Sequence, residues 1–341
     1  MPRHYIRRAG PKCYADEMKS ALLWEQLARW VHVRLTSGRP LRLSRRSVAK
    51  RLHALMLLWV TLLCLLPLPA SAASWTIQAQ PPRLLNGAPV LFKVKGPATI
   101  ETLTGKWLGH ELTFSYQRAT KTWFALAGVP FDTNPGKYTL ELTGKTTAKA
   151  PLSLKRAFTV AAAHYPKIKI QLAVEKKFTE PDPEQLKQIA DANKIKEESF
   201  RHSAAEREWD GRFSPPVDAP TSDVYGSQRI FNGVAQRPHW GLDYRAHTGT
   251  PVTAMNDGTI LLARFLYYEG NFVVIDHGQG LFTLYLHLSE LKVKEGDAVK
   301  RGQEIGLSGG TGRATGPHLD VRVRWQGIYL DPARLQQMSL P

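Results

Sequence analysis

The chain has 341 residues, 43% of them hydrophobic and 22% charged, enough to bury real cores and too apolar for wholesale disorder. Its formal charge of +17 suggests a polyanionic partner, but residues 1–73 hold 13 Lys and Arg against 3 Asp and Glu, so most of the excess sits at the front. With that front set aside and no recognition motif in the remainder, the composition argues against a nucleic-acid-binding role.

Residues 1–72 read as a presequence. Arg45, Arg46, Lys50 and Arg51 precede an uncharged run over 54–66, and Ala70-Ser71-Ala72 then gives a small-residue cleavage pattern before Ala73. The run falls short of the ~20 apolar residues that cross a bilayer, so it predicts secretory export with no membrane span after cleavage. Ser44 to Lys50 partly matches a twin-arginine signal, which leaves two export routes open. Both cysteines, Cys13 and Cys64, fall in this leader, so the mature chain is expected to carry neither disulfides nor thiol chemistry.

Residues 73–162 alternate in short runs such as WTIQAQ, PVLFKV, KTWFALA and KYTLEL, separated by turn residues, and predict an Ig-like β-sandwich. Phe92, Phe114, Trp123 and Tyr138 are its expected core aromatics. Residues 163–222 read as a helical, Pro-rich linker: Asp182-Pro183-Glu184-Gln185 opens a capped helix. Its thin apolar stripe of Leu186, Ile189, Ile195 and Phe200 predicts weak packing. Residues 223–341 turn to Gly-rich short strands and predict an antiparallel β domain. The expected fold class is therefore mainly β.

Reactivity must come from His and carboxylates, since no G-x-S-x-G elbow occurs. Between 239 and 320 stand His239-Trp-Gly-Leu-Asp243, Tyr285-Leu-His287-Leu and His318-Leu-Asp320. A divalent ion used for hydrolysis takes three protein ligands and keeps a fourth position for water. His239, Asp243 and one member of the His318/Asp320 pair can supply them, the latter two sharing a strand face at i and i+2. His247, His277, Asp257, Asp276 and Asp331 read as surface, strand-supporting or turn residues.

The stretch from about Val224 to Pro332 resembles the lysostaphin/LytM family of zinc endopeptidases through the words RPHWGLDYRAHTGTPV, NFVVIDHG, TLYLHLS, VKEGDAVKRGQEIGLSGGTGRATGPHLD and YLDP. The resemblance implies that His239 and Asp243 are zinc ligands, that His287 assists catalysis and that His318 works beside the metal as base or transition-state partner. It places the third ligand at Asp320, where the family has His. A His, Asp, Asp set would make a weaker Lewis acid and relax the preference for zinc over other divalent ions. The implied activity is hydrolysis of peptidoglycan cross-links outside the cytoplasmic membrane, in a Gram-negative periplasm, with one Zn²⁺ and no other cofactor. Peptidoglycan is the expected partner, with cell-wall or division proteins as further candidates. The sandwich and linker would position or restrain the catalytic part, making the freed segment 222–341 the more active form. A rival from another class, suggested by Asp320, is an inactive LytM-like domain that binds and activates a wall amidase.

Overall fold

The computed structural model describes residues 75–96, 100–166 and 169–341. The expected leader, with its apolar run, cleavage pattern, Cys13 and Cys64, lies outside the described residues.

Period-two patterning builds two facing sheets in the first part of this region. One has the order β1 (Thr76–Gln80), β3 (Pro89–Lys95), β7 (Thr122–Gly128), β6 (Ser115–Gln117). The other runs β2 (Leu84–Leu85), β9 (Pro151–Ala161), β8 (Gly136–Thr146), β4 (Ile100–Trp107), β5 (His110–Thr113). Phe92 of β3 meets Trp107 of β4 edge to face at 5.1 Å and Phe158 of β9 at 5.3 Å. The Trp107 indole N–H donates to the Gly128 carbonyl of β7 at 3.1 Å, so one buried residue ties both sheets. Of the expected core aromatics, Phe92 and Phe114 are buried, whereas Trp123 and Tyr138 pack only at the edge of the core.

β10 (Lys169–Leu172) pairs in parallel with β12 (Gln228–Phe231), which in turn pairs with β13 (Val234–Ala235), giving a small separate sheet. Between them lies α1 (Pro183–Ser199). Asp182 accepts from the Gln185 N–H at 2.8 Å and the Gln185 side chain accepts from the Asp182 N–H at 3.0 Å, a complete capping box. The helix packs more firmly than its stripe predicts. Ala192 is buried, Ile195 and Phe200 lie on a cluster that includes Leu262, Phe272, Phe282 and Leu284, and Lys196 ion-pairs with Glu269. Farther on, Trp209, Phe213 and Val217 enter the main core, although this stretch reads as linker in the sequence.

The largest sheet has the order β11 (Thr221–Asp223), β14 (Gly241–Tyr244), β22 (Leu319–Trp325), β18 (Leu281–Leu288), β17 (Gly270–Asp276), β16 (Gly258–Leu266), β20 (Ala298–Val299), with β23 (Ile328–Leu330) on β22. All its pairings are antiparallel. β15 (Pro251–Thr253), β21 (Glu304–Leu307) and β19 (Glu290–Leu291) form a short sheet beside it. α2 (Pro332–Gln337) follows, capped by Asp331. The mainly β fold class holds, and residues 73–341 make one compact unit. Among the described residues no helix is long and apolar enough to cross a membrane.

Candidate metal centre

Register on the large sheet lines up three carboxylates. Asp223 of β11 lies opposite Asp243 of β14, and Asp243 lies opposite Asp320 of β22. Directly paired residues share a face, so this is a row of like charges, which a sheet does not tolerate without cations beside it. Two arginines supply part of the compensation. Arg229 of β12 bonds Asp223 Oδ2 at 2.7 Å and also Asp243 Oδ2. Arg322, two residues after Asp320 on the same strand face, forks onto it, with Nη2 2.7 Å from Oδ2.

His239 enters just before β14. Its Nε2 lies 3.0 Å from Asp243 Oδ1, and both atoms are buried with no hydrogen-bond partner. Two buried, unpartnered polar atoms brought face to face in this way fit a shared cation. Asp223 belongs to the same group: one donor atom from each of Asp223, His239 and Asp243 lies within 4.8 Å of the others. The donor set, one imidazole and two carboxylates, suits a divalent ion of the zinc or manganese kind. Asp320, expected as the third ligand, stands on the next strand outside this group and faces Arg322. Gly241 makes room for it, because a Cβ there would come within 2.1 Å of Asp320 Oδ1.

His287 and His318 meet with ring centroids 4.8 Å apart. His287 Nδ1–H donates to the Thr311 carbonyl at 2.8 Å and His318 Nδ1–H to the Gly316 carbonyl at 2.9 Å. A carbonyl only accepts, so Nδ1 carries a proton in each ring and Nε2 is the nitrogen left free of it whenever the ring is uncharged. His318 Nε2 lies 3.9 Å from Asp243 Oδ2. His287 sits at φ 65°, a left-handed conformation that costs a non-glycine residue strain. The glycine-rich loop that receives it is pinned by Thr311, whose hydroxyl donates to the Leu288 carbonyl at 2.7 Å and accepts from the Asn271 N–H at 2.9 Å. Gly312, at φ 72°, passes so close that a Cβ would fall 2.3 Å from the Gly270 nitrogen.

Electrostatics follow from burial and charge neighbours. Burial pushes Asp243 toward its neutral form and Asp320 opposes its ionisation, but His239 and Arg229 hold the carboxyl below its usual range. Burial acts likewise on Asp320 and is overcome by Arg322, His239 and Arg229, which hold it far below that range. Arg229 is raised despite burial, by Asp243, Asp320 and Asp223. Burial, then the neighbouring His318, lowers His287 to about 4, so its ring is neutral at neutral pH.

These residues border a depression of about 250 Å³ lined by Asp223, Asp243, Arg229, Arg245, Arg313 and His318, with Ile170 and Leu172 of the small sheet on its rim. Of the five expected site residues, the fold gathers His239 and Asp243 as a pair and His287 and His318 as a second pair beside them, with Asp320 on β22 between the strand of Asp243 and the strand of His287. Asp223 and Arg229 are additions that no motif spacing announces; the register of β11 on β14 brings in the first. His277 and Asp276 act structurally: the imidazole bridges the Asp257 carbonyl and Thr283, and the carboxylate accepts from Ser203 and Ala204.

Residues 237–332 match the model of peptidase family M23. The C-terminal domain is an M23 peptidase domain of the LytM type. Over 104 residues the chain is 55% identical to "Peptidoglycan DD-endopeptidase ShyA" of Vibrio cholerae serotype O1, a stretch that is 30% of this chain and 24% of that one. Over 96 residues it is 46% identical to "DD-carboxypeptidase/endopeptidase Mpg" of Neisseria meningitidis serogroup B, covering 28% and 22%. The chain thus spans about a quarter of the length of these curated relatives. Among solved structures it is similar to a putative peptidase M23 from Pseudomonas aeruginosa, with TM-score 0.57 and 26% identity, over 74% of this chain and 95% of that chain. That coverage takes in much more than the M23 domain.

Proposed function

We propose that this chain is an exported metalloendopeptidase that hydrolyses peptide cross-links of peptidoglycan, acting in the periplasm of a Gram-negative envelope. The observation that carries the reading is the pair of buried, unpartnered atoms His239 Nε2 and Asp243 Oδ1, 3.0 Å apart beside two imidazoles. The names of the M23 relatives support the substrate class. In this reading residues 1–72 are the leader removed on export, 73–162 and 163–222 position the active part, and 223–341 carry the chemistry.

His239 and Asp243 would hold the ion, which we take to be Zn²⁺, and Asp223 completes the set as the chain stands. Asp320 joins it only by giving up Arg322. When bound, such an ion supplies Lewis acidity and lowers the pKa of water. The protein's own groups do the rest. His318, its ring fixed through Nδ1, takes up a proton at Nε2 as general base. His287 keeps a lone pair at Nε2 at rest, so it becomes a donor toward the oxyanion that develops on the scissile carbonyl only as a proton reaches that nitrogen during the reaction. The anchored loop around Thr311 keeps both rings in place, so little reorganisation accompanies the reaction.

A second reading has one observation in its favour. Arg229 and Arg322 already make ion pairs with all three carboxylates, an arrangement that an inactive M23-type domain which binds and activates a wall amidase could keep without a metal. Metal content and muropeptide release from purified sacculi separate the two. The enzyme should bind about one zinc ion per chain and release cross-link products that a chelator abolishes; no bound metal and no release would sink the enzyme reading.

A further inference from the structure

Arg313 stands apart from the other arginines near the site. Arg229 is spent on Asp223 and Asp243, Arg322 on Asp320, and Arg324 on Glu197 at 3.8 Å. Among the described residues no carboxylate lies within ion-pair distance of Arg313, and its guanidinium makes no hydrogen bond there. The nearby carboxylate of Glu269 meets Lys196 through Oε1, and its buried Oε2 makes no hydrogen bond to Arg313 or to any other described residue. The group is nevertheless half-buried, packed on aromatic faces: its guanidinium carbon is 4.3 Å from the Tyr268 ring centroid and 5.1 Å from that of Phe231. The backbone is held too, since the Arg313 N–H donates to the Tyr268 carbonyl at 2.9 Å, two residues after the anchored Thr311. A guanidinium cannot shed its proton to escape desolvation. Withdrawing it from water without an anion is costly, and the natural repayment is an anion from outside. Its place fits that role, because Arg313 lines the same depression as His318 and Asp243, with the exposed Arg245 also on the wall.

We propose that Arg313 is the specificity-determining residue of a carboxylate subsite, binding a free carboxylate of the stem peptide next to the reacting bond. The inference rests on the endopeptidase reading for the identity of the ligand. The chemistry fits an Arg more than a Lys. A planar fork packed on two rings can present its N–H groups to the two oxygens of a carboxylate. Stem peptides joined through diaminopimelate offer that group, since a cross-link through one amine leaves the carboxylate on the same carbon free. Recognising it would discriminate against walls in which it is an amide, a neutral isostere that cannot answer the guanidinium charge.

The test uses the purified full chain and one probe in two forms: a cross-linked diaminopimelate muropeptide dimer with free carboxylates, and the same dimer with those carboxylates converted to amides. Binding is measured with chelator present, so that no cleavage intrudes, for wild type, Arg313→Gln and Arg313→Lys. Wild type should bind the free form roughly 10- to 100-fold more tightly than the amide. Arg313→Gln should remove that preference by weakening only the free form, and Arg313→Lys should keep part of it. Equal binding of both forms by wild type, or a preference that survives in Arg313→Gln, overturns the proposal. Should the Gln variant fail to fold, the wild-type comparison and Arg313→Lys still decide. Zinc is then added and products are counted: a clear preference in binding with no cleavage would remove the endopeptidase reading and leave the subsite standing.

Discussion

Asp243 and Asp320, buried on neighbouring strands, are held in the ionised form by the cations beside them, and the arginines among those cations differ in how firmly they are committed. Arg322 shares a strand face with Asp320 and forks onto a fully buried carboxylate. Arg229 reaches Asp223 and Asp243 from the separate small sheet, so its release disturbs no pairing of the large sheet. Asp223→Ala should therefore lower the metal content of the purified protein, whereas Asp320→Ala should keep the metal but strand Arg322, costing roughly 3 kcal/mol. Elemental analysis and urea unfolding check this; the reverse pattern would make Asp320 the third ligand. His277 gives a pH signature away from the site. Buried between the Asp257 carbonyl at 2.6 Å and Thr283 at 2.8 Å, it is lowered by burial from 6.5 to about 4. Above pH 6.5 folded and unfolded chains both hold it neutral. Between 6.5 and about 4 only the unfolded chain takes up the proton, so stability falls with falling pH by roughly 3 kcal/mol and this loss levels off below. His287 acts in the same direction, so the measure is the difference: His277→Gln should flatten part of the decline between pH 7 and pH 5 in urea unfolding. How much of the site is legible in the sequence follows from chain distance. His239 with Asp243, and His318 with Asp320, lie within single short words whose spacing puts each histidine at the entry of the strand that carries its aspartate. Asp223 becomes a neighbour of Asp243 through strand pairing and Arg229 by reaching across from the separate small sheet, and spacing encodes neither.

Helix α1 illustrates the same point for an element. Its own residues give a correct start, because the capping box is a local device written in four consecutive positions. Its packing is not local. A stripe of four apolar residues looks too thin to dock, yet it needs only to cover what the sheet leaves bare, and the clue to that lies elsewhere in the chain. Every residue of β18, LFTLYLHL, is buried, and a strand without apolar–polar alternation must be covered on both faces. One face turns to the main core, the other to Ala192, Ile195 and Phe200. Phe200 packs on Phe282 at 5.1 Å with the Arg324 guanidinium 3.9 Å from its centroid. Phe200→Ala should thus cost about 2 kcal/mol, below the full core value because the ring is only part-buried, and Asp182→Ala about 1 kcal/mol for the lost cap. Denaturant midpoints with unchanged slopes would show both; no effect of Phe200→Ala would mean that the helix adds no stability to the sheet it covers.

At the scale of the molecule, the sandwich, the segment after α1 and the M23 domain share one core rather than meeting at a solvated seam. Trp209 packs on Phe124 of β7 at 6.2 Å and on Phe213 at the same distance, with Arg207 stacked over both Phe124 and Trp209. Phe131 and Tyr165 from the sandwich side interlock with Tyr225 and Trp240 at centroid separations of 5.0 to 5.8 Å. Gly128 is closed against Leu330, where a Cβ would approach within 2.6 Å. Composition alone marks 163–222 as charged and proline-rich, and so hides the three apolar residues in it that matter most, Trp209, Phe213 and Val217. Cutting the chain at 222 to release the expected active part would remove these residues along with the sandwich. Loss of a buried Trp or Phe costs about 3 to 5 kcal/mol, comparable with the whole stability of a modest domain. Thermal midpoints should fall in the order 73–341, 203–341, 222–341, and the shortest fragment should bind a hydrophobic dye or precipitate. If instead 222–341 stays monomeric with the midpoint of the longer forms, the shared core contributes nothing to its fold, and a faster rate on sacculi could then be ascribed to release from restraint.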